Sequence, residues 1–595
     1  MNSLFLGHGW HRRPLDRDLA KNIASRTGIT FPIAAILVQR GITTPDDAIY
    51  HLTPSLSSLN DPYAMADMER AVERVIAAVE ARERVAVFGD YDADGVSASI
   101  VLSRFLKGLG LDVSVYIPHR EKEGYGLNPD ALSRFSSEGR TLVITVDCGV
   151  SNHDEIAHAR TLGMDVIVTD HHEPPPYLPP ALAVLNPKRP DCTYPFRELA
   201  GVGVAFTFVR ALRSRLHGLG FWNGRTVPNL KEYLDLVAIG TVADMVPLLG
   251  DNRILVRTGL EVLGAAARPG IASLLATCSI TPPLSVDDIA FRIAPRINAA
   301  GRMNHARTAQ LLLETSDPGR AADLAAELHS LNEDRQREEG KIFEEAQRMI
   351  QALGERPAYV CASAAWKRGV LGISASRLSS SHLRPVILFT FHEGTAYGSA
   401  RSPEGIDLME ALRSCASFLD GYGGHQSAAG LHLPQDRLPA FTRAFEEVIH
   451  AQIGRSTYTP VLPIDLSVSV QEIASPEFSR LYPLLEPFGT GYPPPVLAIQ
   501  DFHVRERRLV GNGHLKLRLG SHHSNGPTLD LLAWGHGDKA DLSWDRMEIA
   551  CTPSLTVWNG KRQISLRLKD ARPRNGDVEH EGGNVEKEIR NDSYP

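Results

Sequence analysis

The chain has 595 residues, more than one hydrophobic core supports, so three or four domains are expected. It is 43% hydrophobic and 22% charged, an ordinary globular balance, and no run of about eighteen apolar residues suggests a transmembrane helix. The net charge of −7 does not announce a nucleic-acid binder but leaves room for a local basic groove, and six scattered cysteines without a C-x-x-C pair argue against a zinc site or disulfide framework and fit a reducing cytoplasm.

Met1–Arg13 carries no signal-peptide core. Residues 1–75 read as a helical preface without chemistry: an amphipathic segment begins at Phe31, and Thr44-Pro45 opens a capped helix. From 76 the pattern alternates strand and helix, with strands expected at Val85–Phe88, Val113–Ile117, Leu142–Val146, Val166–Thr169 and Ala183–Leu185. Such alternation argues for a parallel sheet flanked by helices, with ligands collecting beyond the carboxyl ends of the strands. Asp90, Asp92 and Asp94 follow the first strand, Asp147 the third, and Asp170-His171-His172 the fourth. A further apolar run, Leu236–Ala243, delivers Asp244.

Taken alone, D-x-D-x-D at 90–94 fits a solvated turn, a calcium loop or a divalent-metal site. The calcium loop is disfavoured because its twelfth position is Val101 and a strand leads in. Four separate stretches bringing Asp or His to one edge favour metal, since carboxylates packed together need cations to offset their repulsion. In the loop 117–128, Arg120 and Lys122 are suited to clamping phosphate and Tyr125 to stacking on a base or sugar. The run Ala200–Ala205 reads as a tight helix entry, and no P-loop is present, so ATP use is not indicated. Residues 291–302 carry three arginines among small residues and read as a phosphate-facing loop; for Arg296 an interdomain salt bridge is an equal alternative.

Pro318 to Leu353 reads as a long connecting helix and not as a site. A second α/β unit over 356–455 contains Gly-, Ser- and Arg-rich loops at 398–402 and 421–425. Residues 456–570 read as short strands of a small barrel, with Phe502, Arg505, Arg507, Arg508, Lys516, Arg518, Trp534, Trp558 and Lys561 as candidate strand contacts. The tail, 571–595, is charged and reads as disordered.

GDYDADG at 89–95, TVDCGVS at 145–151, Asp170-His171-His172 and GTVADMVPL at 240–248 together resemble the DHH phosphoesterase superfamily and, within it, the RecJ family of single-strand-specific exonucleases. The resemblance spans about residues 30–570 and implies an α/β multidomain protein. Its parts would be a parallel-sheet DHH catalytic domain (76–315), a connecting helix (316–355), a DHH-associated substrate-binding domain (356–455) and a C-terminal OB-type β-barrel (456–570). It implies two Mn²⁺ or Mg²⁺ ions held by Asp92, Asp94, Asp147, His171 and Asp244, with Asp147 bridging and Asp90 less directly placed. His172 would face the scissile phosphate, Asn298 and Arg302 would lie near the active site, and Arg120, Ser399 and Arg401 would take the 5′-terminal phosphate in a cleft lined by His425.

Three positions depart from the pattern: Phe88 where other superfamily members have a metal-binding His, Lys367 where His is common, and Tyr492 where Asn is common. The implied activity is 5′→3′ hydrolysis of single-stranded DNA to 5′-mononucleotides in repair and recombination. The expected protein is a cytoplasmic monomer without membrane contact, with single-strand-binding protein and a RecQ-type helicase as partners. Two alternatives are a DHH phosphoesterase acting on short oligoribonucleotides or cyclic dinucleotides, and an inactive nucleic-acid-binding scaffold. Chain length and the barrel weigh against the first, the complete acidic set against the second.

Overall fold

The computed structural model describes residues 9–574 except 404, 454–460, 512, 522–525 and 559–560. The described chain divides into two compact units, one made of Pro54–Tyr458 with Pro487–Tyr492 and the other of the remainder.

In the first unit a five-stranded, all-parallel sheet runs in the order Asp112–Tyr116, Arg84–Gly89, Leu142–Val146, Asp165–Thr169, Ala183–Leu185. The three central strands are rich in β-branched residues and largely buried, as expected for a sheet covered on both faces. Their register is level: Gly89 pairs with Val146, and Val146 with Thr169. Asp90, Asp147 and Asp170 therefore leave the sheet side by side. Phe88 is fully buried and stacks on Tyr116 at 5.5 Å, so it belongs to the core.

One open reading is settled here and one expectation changes. The apolar run ending at Asp244 is a helix, Leu234–Ala243, buried over nearly its whole length. A run hydrophobic on every side carries no periodicity, so strand and helix look alike in sequence. The arginine-rich stretch expected as a loop is a five-residue π-turn, Ile289–Ile293, leading into the helix Ala294–Met303. Pro295 falls in the first turn of that helix, where a missing N–H costs nothing. Gly301 lies inside it because a Cβ there would sit 2.6 Å from the Tyr91 carbonyl oxygen.

The helix Pro318–Leu353, capped by Asp317, joins the parallel sheet to a second sheet. That sheet runs Gly421–His425, Ala428–Pro434, Thr395–Arg401, Val386–His392, Tyr359–Ala362. The Gly/Ser/Arg segments at 398–402 and 421–425, expected as loops, are thus largely strands. Glycines inside strands mark places where something must approach the backbone closely, and small-residue composition hides the strand. Tyr492 is 2% exposed, stacked on Phe488 at 5.8 Å with the Arg253 guanidinium 4.8 Å from its ring.

The second unit holds a seven-stranded sheet in the order Leu466–Ser467, Leu497–Ile499, Met547–Trp558, Lys561–Pro573, Thr528–Ala533, His514–Gly520, His503–Val510. The last, an exposed edge strand carrying Arg505, Arg507 and Arg508, escapes sequence reading because edge strands trade alternation for charge. The unit also includes part of the N-terminal preface. Gly9–Arg12 pairs in parallel with Val461–Ile464, and Trp10 donates its indole N–H to Asp570 at 2.7 Å. Within the tail expected as disordered, Ala571–Pro573 close the last strand, and 575–595 lie outside the described residues, as do the side chains of Trp558 and Lys561. No helix among the described residues is long and apolar enough to cross a membrane.

Candidate active site

The acidic loop is built by the start of the helix Ala93–Gly108. Asp92 is its N-cap, accepting the amides of Asp94 (2.9 Å) and Gly95 (3.0 Å). The side-chain oxygen of Asn298 accepts the Ala93 amide at 2.8 Å, tying the helix Ala294–Met303 to the same turn. Asp94 is fully buried, and its two oxygens accept the Gly201 amide (2.7 Å) and the Val202 amide (2.9 Å) at the N-terminus of the helix Gly201–Gly218. The glycine-rich entry at 201–203 therefore serves the acidic centre. A Cβ at Gly201 would lie 2.4 Å from Asp147 Oδ1, and one at Gly240 2.5 Å from Asp94 Oδ1, so both helices approach the carboxylates through bare glycine.

Asp147 adopts φ 61°, a left-handed conformation uncommon outside glycine. His171 Nε2 faces it at 3.1 Å from Oδ1 and faces Asp244 Oδ2 at 3.4 Å. Three groups of ligand atoms converge to within 4.8 Å: Asp147, His171 and His172; Asp94, His171 and Asp244; Asp90, Asp92 and Asp147. Asp147 and His171 each belong to two of them.

The electrostatics of this cluster call for cations. Burial, reinforced by neighbouring carboxylates, pushes Asp94 up to about 7 and Asp244 up to about 9. The same causes hold Asp90 and Asp147 well above the carboxylate range. Burial, then the charge of His172, lowers His171 to about 3, leaving it a neutral imidazole, the form that ligates metal. Asp90 Oδ1, Asp147 Oδ1 and His171 Nε2 are buried without a hydrogen-bond partner. A donor set of carboxylate oxygens with one imidazole, its buried atoms unsatisfied, fits Mn²⁺ or Mg²⁺.

Asp170, fully buried, plays a different part. Its Oδ1 accepts the amides of His171 (2.7 Å) and His172 (3.2 Å) and lies 2.8 Å from His172 Nδ1, while Oδ2 accepts the Val150 amide at 2.9 Å. Burial works against a charge on His172, but the hydrogen bond and charge of Asp170 outweigh it and push His172 up to about 9. The Tyr125 hydroxyl donates to the Asp147 carbonyl at 3.2 Å and lies 3.1 Å from His172 Nδ1. Its ring meets His172 edge-on, and the residue as a whole is 46% exposed. Sequence reasoning had no signal for this hydroxyl, or for the roles of Gly201 and Gly240, because each acts through a contact distant in sequence; the contacts of Asp170 with His171 and His172 are local, but its burial is not.

Beside the acidic centre the structure collects arginines. Arg302 donates to the Gly369 carbonyl at 3.2 Å; burial, then the charge of Arg120, lowers it to about 10, with Arg335 and Arg401 adding to the effect. The Arg120 guanidinium lies 4.9 Å from the Tyr91 ring centre. Arg401 donates to Ser399 Oγ at 3.1 Å. Arg401 pairs in register with Ala428 and Ala428 with His425, so exposed His425 stands two strands across on the same row. Arg296 is engaged elsewhere, by the Arg292 carbonyl and His329 Nδ1. Lys367 is exposed.

The profile described as DHH family, N-terminal domain, matches residues 84–241, that of the DHHA1 domain 356–451, and that of the RecJ OB domain 464–570. The chain is 36% identical over 570 residues to the single-stranded-DNA-specific exonuclease RecJ of Bacillus subtilis, covering 94% of this chain and 70% of that protein. It is 37% identical over 529 residues to the Escherichia coli protein of the same name, covering 86% and 91%. The crystal structure of RecJ in complex with Mn²⁺ from Thermus thermophilus superposes with a TM-score of 0.80 at 33% identity, over 96% of this chain and 80% of that one.

Proposed function

We propose, since this chain belongs to the RecJ family of single-stranded-DNA-specific exonucleases, that it shortens single-stranded DNA from the 5′ end and releases 5′-mononucleotides. The chain is a metal-dependent exonuclease of single-stranded DNA that uses Mn²⁺ or Mg²⁺. The observation that carries the rest of the reading is the juxtaposition, within one unit, of Asp92, Asp94, Asp147, His171 and Asp244 with Arg120 and Arg302. A seven-stranded domain matching the RecJ OB profile weighs against a phosphoesterase confined to short oligoribonucleotides or cyclic dinucleotides.

In this reading Asp92, Asp94, Asp147, His171 and Asp244 would hold two divalent ions, whose chemistry would be to polarise the scissile phosphate and to make a bound water nucleophilic at neutral pH. The residues do the remainder. His172 gives its Nδ1 proton to the hydrogen bond with Asp170, which leaves the Nε2 proton for a phosphoryl oxygen. Tyr125 holds the His172 ring against the Asp147 backbone. Arg302 offsets charge that develops on the phosphoryl oxygens, and Asn298 keeps the acidic turn in place. Arg120, Ser399 and Arg401 take the 5′-terminal phosphate, with His425 on the same sheet face; that pocket sets polarity. Work in repair and recombination in the cytoplasm, as a monomer alongside single-strand-binding protein and a RecQ-type helicase, belongs to the same proposal.

The test uses a 3′-labelled single strand with a 5′ phosphate, the same strand in duplex, and an RNA of the same sequence, each with Mn²⁺, Mg²⁺ or EDTA. Stepwise shortening of the single-stranded DNA from the 5′ end, stopped by EDTA, is expected. Asp147→Ala should lower the rate at least about a thousandfold without unfolding the chain. Shortening from the 3′ end, or an active Asp147→Ala enzyme, would overturn the assignment.

A further inference from the structure

The connecting helix Pro318–Leu353 buries one stripe along its length, apolar at both ends and polar in the middle. Ala321 to Leu328 belong to the core of the parallel-sheet domain, and Ile342 to Ile350 to a core of the following domain. Between them the buried positions are Asn332, Arg335 and Glu339. The polar stretch thus lies where the helix passes from one core to the next. Burying a carboxylate and a guanidinium there costs desolvation that leucines would avoid, so stability alone does not account for them.

Their contacts lead to the phosphate site. Arg335 donates Nη1 to Glu339 Oε2 and Nη2 to Asn332 Oδ1, both at 2.9 Å. The second Glu339 oxygen accepts Arg377 Nη1 at 2.9 Å, and the Glu339 carbonyl accepts Ser374 Oγ at 3.4 Å. Ser374 and Arg377 lie on the helix Leu371–His382. That helix and the turn Arg368–Val370 just before it touch both halves of the site. The Gly369 carbonyl accepts Arg302, and a Cβ at Gly372 would lie 2.7 Å from Arg401 Nη2 and 3.0 Å from Ser399 Oγ. A continuous chain of contacts therefore runs from Glu339 to Arg302 on one domain and to Ser399 and Arg401 on the other.

We propose that Glu339 is a positioning residue for the phosphate site. By pinning the helix Leu371–His382 to the connecting helix through Arg377 and Ser374, with Arg335 holding its carboxylate, it sets the separation of Arg302 from the Ser399–Arg401 pair. Affinity for a 5′-phosphorylated end follows from that separation. The inference rests on the reading of Ser399 and Arg401 as holding the 5′-terminal phosphate and of Arg302 as facing the reacting one.

The experiment measures KM and kcat of the full chain with Mn²⁺ on one strand carrying either a 5′ phosphate or a 5′ hydroxyl, with thermal melting alongside. A wild-type enzyme indifferent to the phosphate would sink the pocket itself, whatever the variants do. Given a wild-type preference, Glu339→Gln should raise KM for the phosphorylated strand about tenfold, the loss expected when a charge-assisted contact network is weakened. Arg302 stays with the acidic centre on the helix Ala294–Met303 and the Ser399–Arg401 pair is what shifts, so KM for the hydroxyl strand and both kcat values should stay within about twofold and the preference collapses. Arg377→Gln, whose side chain is 53% exposed, should shift the preference the same way by less with an unchanged melting temperature; it decides the matter if Glu339→Gln does not fold. Wild-type preference in both variants, or equal losses on the two strands, would overturn the proposal.

Discussion

At the residue scale, the decisive feature is that two adjacent histidines are driven to opposite charge states. His171 is neutral because it is buried, and His172 is protonated because Asp170 holds its Nδ1 at 2.8 Å. Asp170 stays below its ordinary range: burial pushes it up, but the hydrogen bond and charge of His172 prevail. The D-H-H triplet therefore divides its work, with the aspartate serving the second histidine. Asp170→Asn removes the charge that keeps His172 protonated. A fall in kcat of about a hundredfold is expected, with little change in KM and an alkaline limit of the pH–rate profile moved down from near 9. A pH–rate profile of the variant that matched wild type would show that the Asp170 charge does not control this proton.

At the element scale, two helices reach the carboxylates only because glycine stands at the contact. Gly201→Ala places a methyl group 2.4 Å from Asp147 Oδ1, and the neighbouring carboxylate has nowhere to move in a buried site. The helix Gly201–Gly218 must then back away and take its amides from Asp94. A destabilisation of about 1–3 kcal/mol is expected, with weaker Mn²⁺ binding by calorimetry. Wild-type Mn²⁺ affinity in Gly201→Ala would show that this approach is not needed to shape the centre. The π-turn at Ile289–Ile293 belongs to this scale too, since it precedes the helix that carries both Asn298 and Arg302.

At the scale of the whole molecule, the acidic centre makes stability depend on metal and pH together. Without ions, Asp244 and His172 hold protons in the folded state up to about pH 9, and the unfolded chain releases them earlier. Raised folded values mean stability is lost as pH rises, here most strongly between pH 7 and 9. The loss is up to about 1.4 kcal/mol per pH unit for one such group. Cations bound there would replace the Asp244 proton, so the rise in melting temperature on adding Mn²⁺ to metal-free protein should be larger at pH 9 than at pH 7. Thermal melts at the two pH values check this; an equal or smaller rise at pH 9 would mean that the carboxylates are not the coupled groups.

The sequence by itself determined the strand–helix alternation, the long connecting helix and the set of Asp and His residues at one edge. Each of those acidic stretches directly follows an apolar run, and a level parallel sheet brings consecutive strand ends together without further information. Tertiary structure alone decided what satisfies those residues. Asp94 takes its amides from residues 107 and 108 positions away, and the Tyr125 hydroxyl reaches His172 across 47. It also made a helix of the apolar run before Asp244 and of the arginine-rich stretch around Asn298, where periodicity was absent or hidden by small residues. The polar stripe of Asn332, Arg335 and Glu339 reads in sequence as an ordinary charged helix face. Only packing between two cores shows that it is buried, because burial is a property of what an element lies against and not of its own pattern.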